Sequence, residues 1–241
     1  MRSPLVRRAL CAMLILTAAG AAAQERPRHG RLFPPEDLGV LEGPDRDAWQ
    51  MPDAVMDALG IADGSTVADI GAGGGWFTVR LARRVGPNGV VYAQDVQTQM
   101  LEAIRRRVER EGLRNVRTIQ GDRDDPHLPP SSIEVILMVD AYHEFTNRRD
   151  LLTHFAAALR PGGRIGVVEF TKSGGGPGPP SEDRIDEERV IHEAAAAGFT
   201  LVRRETFLLP FQYFLIFGRG SAEPPPSDVT TAEPGQAPGR R

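Results

Sequence analysis

The stretch that most constrains the fold is Val67-Ala68-Asp69-Ile70-Gly71-Ala72-Gly73-Gly74-Gly75-Trp76-Phe77. A β-type run ends at Ile70, four of the next five residues are glycine, and an amphipathic helical pattern (WFTVRLARRV) follows at once. Glycine permits left-handed backbone and close approach of other atoms. The helix that opens behind it presents amide groups with no partner inside the helix, which favour an anion. Strand, glycine turn and helix together make a ligand-holding device at the carboxyl edge of a parallel sheet.

The rest of the chain repeats the same alternation. Strand-like runs at 66–70, 89–94, 116–120, 133–139 and 164–170 are separated by helical patterns at 75–85, 98–111 and 147–159, and an earlier helix is expected over 47–59. In 98–111, Leu101, Ile104 and Val108 line one face while arginines and glutamates take the other. Pro161-Gly162-Gly163 is expected to stop the third helix and turn the chain into strand five. A helix at 183–197 is followed by strands at 199–206 and 211–217 with no helix between them, so these two pair antiparallel as a hairpin. The fold class is therefore α/β, a seven-stranded, mostly parallel sheet with a C-terminal antiparallel hairpin and helices on both faces.

Two ligand classes compete for the glycine turn. A dinucleotide site wants G-x-G-x-x-G/A, but the third small position falls on Trp76 or Thr78, depending on the frame. What fits is Asp69-x-Gly71-x-Gly73-x-Gly75, an acid two residues before the first glycine. Further acids fall at the ends of the next strands: Asp95 after the second, Gly121-Asp122 after the third, Asp140 after the fourth. With Leu159-Arg160-Pro161-Gly162-Gly163 leading into strand five, residues 47–217 resemble the class I S-adenosylmethionine-dependent methyltransferases, of the ubiquinone-biosynthesis-like group. The resemblance implies a Rossmann-like domain over 47–218 with S-adenosyl-L-methionine as cofactor. Asp69 and the backbone of Gly71, Ala72, Gly73 and Gly75 would hold its amino-acid end, lying where a Cβ would obstruct it. Asp95 would fix the ribose, Val96 would pack on the adenine, Gly121 and Asp122 would orient the adenine, and Asp140 would lie beside the methionine end.

Methyl transfer needs a base only when the acceptor carries a high-pKa proton. Tyr142-His143-Glu144 follows Asp140 directly. His143 either takes a hydroxyl proton or orients the acceptor, held by Asp140 or Glu144, or it only hydrogen-bonds within its loop. Asp122, Asp124 and Asp125 read as a solvated acidic turn and no carboxylate triad for a metal stands out. A small-molecule O- or C-acceptor is expected, covered by residues 46–52 and by the loop 173–180. A non-catalytic protein that binds the cofactor is the alternative, and a nicotinamide-dependent oxidoreductase a weaker one because of Trp76.

The ends of the chain carry a different message. Arg2, Arg7 and Arg8 precede an apolar run at 9–20, and Ala21-Ala22-Ala23 supplies small residues before Gln24, the layout of a secretory signal peptide over 1–23. The run is shorter than the ~20 residues that a membrane span needs. The chain is thus expected to be periplasmic or secreted, without stable membrane insertion after cleavage; a downstream start, for instance at Met51, would make it cytoplasmic. The single cysteine, Cys11, would leave with the signal, so neither a disulfide nor a thiolate site is expected in the mature chain. A net charge of −3 without a basic stripe argues against nucleic acid as a partner. Residues 24–46 read as an irregular leader and 219–241 as a disordered Pro/Gly/Ala-rich tail.

Overall fold

The computed structural model describes residues 32–219 apart from Gly174. The expected signal peptide, the first part of the leader and residues 220–241 of the expected tail lie outside the described residues. Seven strands, β1 (Thr66–Ile70), β2 (Val90–Asp95), β3 (Val116–Gln120), β4 (Ile133–Val139), β5 (Leu159–Phe170), β6 (Phe199–Glu205) and β7 (Gln212–Arg219), form one sheet of order β3-β2-β1-β4-β5-β7-β6. β1 pairs in parallel with both β2 and β4. β7 runs antiparallel to β5 and β6, which makes the closing hairpin.

Side chains alternate across each strand, so the sheet feeds two cores. On one face Val67, Val135 and Leu137 meet Val55 and Leu59 of α2 (Pro52–Ala58 and its C-cap) and Phe77, Leu81 and Val85 of α3 (Trp76–Val85). On the other, Ala68, Ile70, Ile136 and Met138 meet Leu151, Leu152 and Phe155. Each fully buried Leu, Ile, Val or Phe contributes about 1.5–3 kcal/mol. Those two layers hold the carboxyl edge of β1, β2 and β4 rigid, and that edge carries the site.

Four elements depart from the sequence expectation. The helix expected over 47–59 is two helices, α1 (Arg46–Gln50) and α2, separated at Met51, whose φ is 45°. A residue before proline is disfavoured in the helical region, so Met51 leaves the helix and Pro52 starts the next. The leader is not wholly irregular: Pro35–Glu42 winds into a 3-10 helix. α4 (Thr98–Arg110) and α5 (Arg148–Ala158) fall where expected, but β5 begins at Leu159. Its pairing jumps from Ile133↔Leu159 to Val135↔Arg164, so Pro161-Gly162-Gly163 forms an excursion within the strand, with Gly162 at φ 78°. α6 starts at Glu187 because Asp186 is extended, and it ends at Ala196. Among the described residues no helix is long and apolar enough to cross a membrane.

Candidate active site

A cavity of about 430 Å³ opens over the carboxyl ends of β1, β2 and β4, within the size range of small-ligand sites. The glycine turn and Asp69, Asp95 and Val96 line one side of it. Residues from the leader, the segment after β4, the end of β5 and the loop at Pro177–Pro179 line the other.

The glycine turn is held by its own hydrogen bonds. The Ala72 amide donates to Gln94 O at 3.0 Å, Gly75 to Ala72 O at 2.9 Å, and Gly73 to Oδ2 of Asp95 at 3.0 Å. Gly71 has φ 66°, and a Cβ there would lie 2.6 Å from the Cβ of Ala141. The neighbouring strand's end therefore forbids a side chain at 71 in addition to whatever a ligand requires. At Gly73 a Cβ would meet only Leu41, at 3.8 Å.

Four acids were expected at the site, and three line the cavity. Asp69 is 3 % exposed and accepts the Thr78 hydroxyl at 2.6 Å. Burial pushes its pKa up to about 6, against the opposing pull of Thr78 and of Arg46. Asp95 is also raised by burial, while the amides of Gln97 and Gly73 favour its charged form. Asp140 sits in the left-handed region at φ 54°, its amide donating to Val168 O at 2.8 Å, and its Oδ1 is buried without a hydrogen-bond partner. Burial and then Glu169 raise its pKa to about 6, against His143 and Arg46. Asp122 stands apart: its side chain is 73 % exposed, 3.2 Å from Nε2 of His127. Neither it nor Gly121 lines the cavity. Gly121 instead makes room for the Gln94 amide, whose Nε2 would lie 2.3 Å from a Cβ at 121. The third strand thus delivers Arg123, not Asp122, to the cavity wall.

His143 lies in the 3-10 turn Tyr142–Glu144 after β4 and is 8 % exposed. Sequence reasoning assigned its support to Asp140 or Glu144. The structure gives that role to Glu169, near the end of β5 and 1 % exposed. Nδ1 of His143 lies 2.9 Å from Oε2 of Glu169, and the His143 backbone N–H donates to Oε1 at 3.2 Å. Asp140 is 3.8 Å from Nδ1, and Glu144 turns away to accept the Phe33 amide at 3.1 Å. Burial alone would lower the imidazole pKa. The charge and hydrogen bond of Glu169, with Asp140 and Glu144, more than reverse this and raise it to about 10. These neighbours favour the protonated ring, which of the two expected roles suits orienting an acceptor better than taking its proton. The ring's Nδ1 faces Glu169, and its Nε2 has no hydrogen-bond partner among the described residues. Asp140, His143 and Glu169 also place ligand atoms within 4.8 Å of one another, a set able to hold a cation only with the imidazole neutral. The sequence reading, which saw no such set, had not counted Glu169.

Residues 67–163 match the family described as methyltransferase domain. A ubiquinone/menaquinone biosynthesis C-methyltransferase of Ectopseudomonas mendocina is 32% identical over 136 residues, 56% of this chain and 52% of that one. The Azotobacter vinelandii protein of the same description is 32% identical over 134 residues, 55% of this chain and 52% of that one. The chain spans about half the length of the curated relatives it matches. The crystal structure of an S-adenosylmethionine-dependent methyltransferase from Aquifex aeolicus superposes with a TM-score of 0.73 at 27% identity, over 77% of this chain and 98% of that one. Residues 67–163 are thus similar to a methyltransferase domain, on the fold of class I S-adenosylmethionine-dependent methyltransferases. The [4+2]-cyclase SpnF, at 21% identity and a TM-score of 0.60 over 70% of each chain, shares the fold alone.

The lining of the cavity fits S-adenosylmethionine as cofactor. Three of the buried polar atoms without a hydrogen-bond partner among the described residues, Nε of Arg46, Nε2 of Gln94 and Oδ1 of Asp140, belong to residues lining this one cavity. Such atoms are costly unless a ligand meets them. Asp69 and Asp140 would hold the ammonium of the amino-acid end, Asp95 the ribose, and Val96 the adenine face. Sequence reasoning missed Arg46, Gln94 and Glu169 as site residues. Glu169 had a signal: it is one more acid near the carboxyl end of a parallel strand, as Asp69, Asp95 and Asp140 are.

Proposed function

We propose that the protein transfers a methyl group from S-adenosylmethionine to an oxygen or carbon of a small molecule that reacts as its anion. The observation behind this reading is that one cavity joins the acids and glycine turn of the donor side to His143, whose Nδ1 is taken by Glu169. The cofactor, when bound, supplies a methyl group on a positively charged sulfur. The chain's own contribution is then placement, which for two aligned reactants can supply much of the barrier reduction. His143, kept charged by Glu169, offers Nε2–H to the acceptor's oxyanion, so a negative acceptor is held against a fixed donor. Asp140 flanks the imidazole and the sulfonium side, and both residues stand as the catalytic pair of this proposal. Trp49, Phe145 and Phe170 line the cavity and favour a flat, largely apolar acceptor. The description of the relatives as C-methyltransferases supports a carbon acceptor activated by a neighbouring hydroxyl. Neither nucleic acid nor a membrane enters this reading.

The test is calorimetric titration with S-adenosylhomocysteine and with NADH, then transfer of labelled methyl to a panel of phenols and enolisable ketones. Binding of S-adenosylhomocysteine with label appearing in one acceptor class is the expected result. Binding of NADH alone would return the oxidoreductase reading, and cofactor binding without transfer to any acceptor would favour a non-catalytic binder. We further propose that the mature chain is exported and begins near Gln24. In favour of this, residues 32–50 supply part of the cavity wall, and a start at Met51 would remove them. Mass spectrometry of the native N-terminus decides between the two.

A further inference from the structure

Arg46 opens α1, in the segment that precedes the sheet, yet its side chain reaches the cavity over the glycine turn. Its guanidinium lies 4.2 Å from the ring centroid of Trp76, the first residue of α3 after the turn. Nη1 donates to Leu41 O at 2.5 Å and Nη2 to Oε1 of Gln50 at 3.3 Å, which fixes the group in place. Nε and one N–H on each terminal nitrogen are left uncommitted among the described residues. None of their carboxylates lies within ion-pair distance of it, whereas Arg80, which stacks on the same ring at 3.6 Å, is paired with Asp47 at 2.5 Å. Burial lowers the Arg46 pKa to about 10, against the more distant pull of Asp140, Asp69 and Glu42. A fixed, half-buried guanidinium with a buried free Nε and no ion-pair partner among the described residues is suited to an anion.

We propose that Arg46 binds the α-carboxylate of the cofactor, with Asp69 and Asp140 across the cavity taking its α-ammonium. This inference rests on the cofactor reading above and extends it to the leader. The charge arrangement selects this ligand group. Two carboxylates and one guanidinium around the same end of one cavity match a zwitterionic amino-acid head, not a lone anion. The segment before the sheet is therefore part of the cofactor site. Planar guanidinium pairs with carboxylate in a way that an ammonium does not, so lysine is a poor substitute.

The test titrates the full chain with S-adenosylhomocysteine and with decarboxylated S-adenosylhomocysteine, in the native protein and in Arg46→Met and Arg46→Lys. The native protein should prefer the carboxylate-bearing ligand by about tenfold or more, the usual scale for a charge-assisted hydrogen bond. Arg46→Met should lose that preference by weakening S-adenosylhomocysteine alone, and Arg46→Lys should retain part of it. Equal weakening of both ligands in both variants would mean that Arg46 only packs the leader, and this would overturn the inference. So would an unchanged preference. No binding of S-adenosylhomocysteine by the native protein would instead overturn the cofactor reading itself.

Discussion

The two halves of the cavity are built differently. The donor half comes mainly from one short run of chain, Asp69 to Val96, in which a strand end, a glycine turn and the next strand end bond to one another, with Arg46 and Asp140 joining it from outside. The acceptor half is assembled from the leader, the segment after β4, the end of β5 and the loop at 175–179. Side chains tie these pieces together. Phe33 bridges Glu144 and Gln97, Arg107 holds Gly74 O and Glu42, and the Gln50 and Gln212 amides meet at 2.6 Å. Arg184 gathers the carbonyls of Thr171, Gly175, Pro177 and Pro179. A donor site made of backbone tolerates little change. An acceptor site made of side chains on separate segments can be rewritten without disturbing the sheet, which is why one fold serves many substrates.

If the halves are as distinct as this, His143→Ala should lower methyl transfer by about a hundredfold while S-adenosylhomocysteine affinity stays within about twofold. A parallel loss of both in calorimetry and turnover would merge the halves. Asp95→Ala should do the reverse, weakening S-adenosylhomocysteine by about 1.5–3 kcal/mol through lost hydrogen bonds to a charged group. Unchanged affinity in a folded variant would remove Asp95 from the donor side.

The donor side should also titrate. Asp69 and Asp140 are both raised to about 6, and a bound ammonium stabilises their charged forms, so binding draws protons off them. Affinity therefore rises with pH through about 6 and levels off above it. From pH 7 down to pH 5 it should fall by about tenfold for each carboxylate that must ionise. Calorimetry in buffers of different ionisation enthalpy near pH 6 should show proton release, and flat affinity over this range would show that neither acid faces the ammonium. The smallest effect is reserved for Asp122→Ala, which should change S-adenosylhomocysteine affinity by less than about twofold, since the exposed carboxylate lies off the cavity wall. A larger loss would mean that the third strand end closes onto the ligand after all.

The sequence made the donor half legible because its signals are contiguous. An acid, a glycine turn and a helix follow in a fixed order, and strand alternation carries that order into the sheet. Asp122 misled because the chain turns after Gln120: its amide bonds to Asp125 O at 2.7 Å and its carboxylate faces His127. The acceptor half was harder. Glu169 stands near the carboxyl end of an apolar strand, but only the fold shows that it meets His143, 26 positions earlier. Arg46 fell in the segment expected to cover the acceptor, because nothing nearby in sequence tells that Trp76 will lie beneath it. The break at Met51 was legible in principle, since Pro52 forbids its predecessor a comfortable helical turn.

Trp49 and Trp76 are the only tryptophans in the chain, and both stand in the cavity wall. Trp49 leans on Phe170 with centroids 5.9 Å apart, at the acceptor side, and Trp76 carries Arg46 and Arg80 on its ring at the donor side. All indole emission from this protein therefore originates at the site, with no background from elsewhere in the chain. A Trp49→Phe variant leaves a fluorophore that reports the cofactor side, and Trp76→Phe one that reports the acceptor side. Occupancy of each half can then be followed optically and separately, with no label attached.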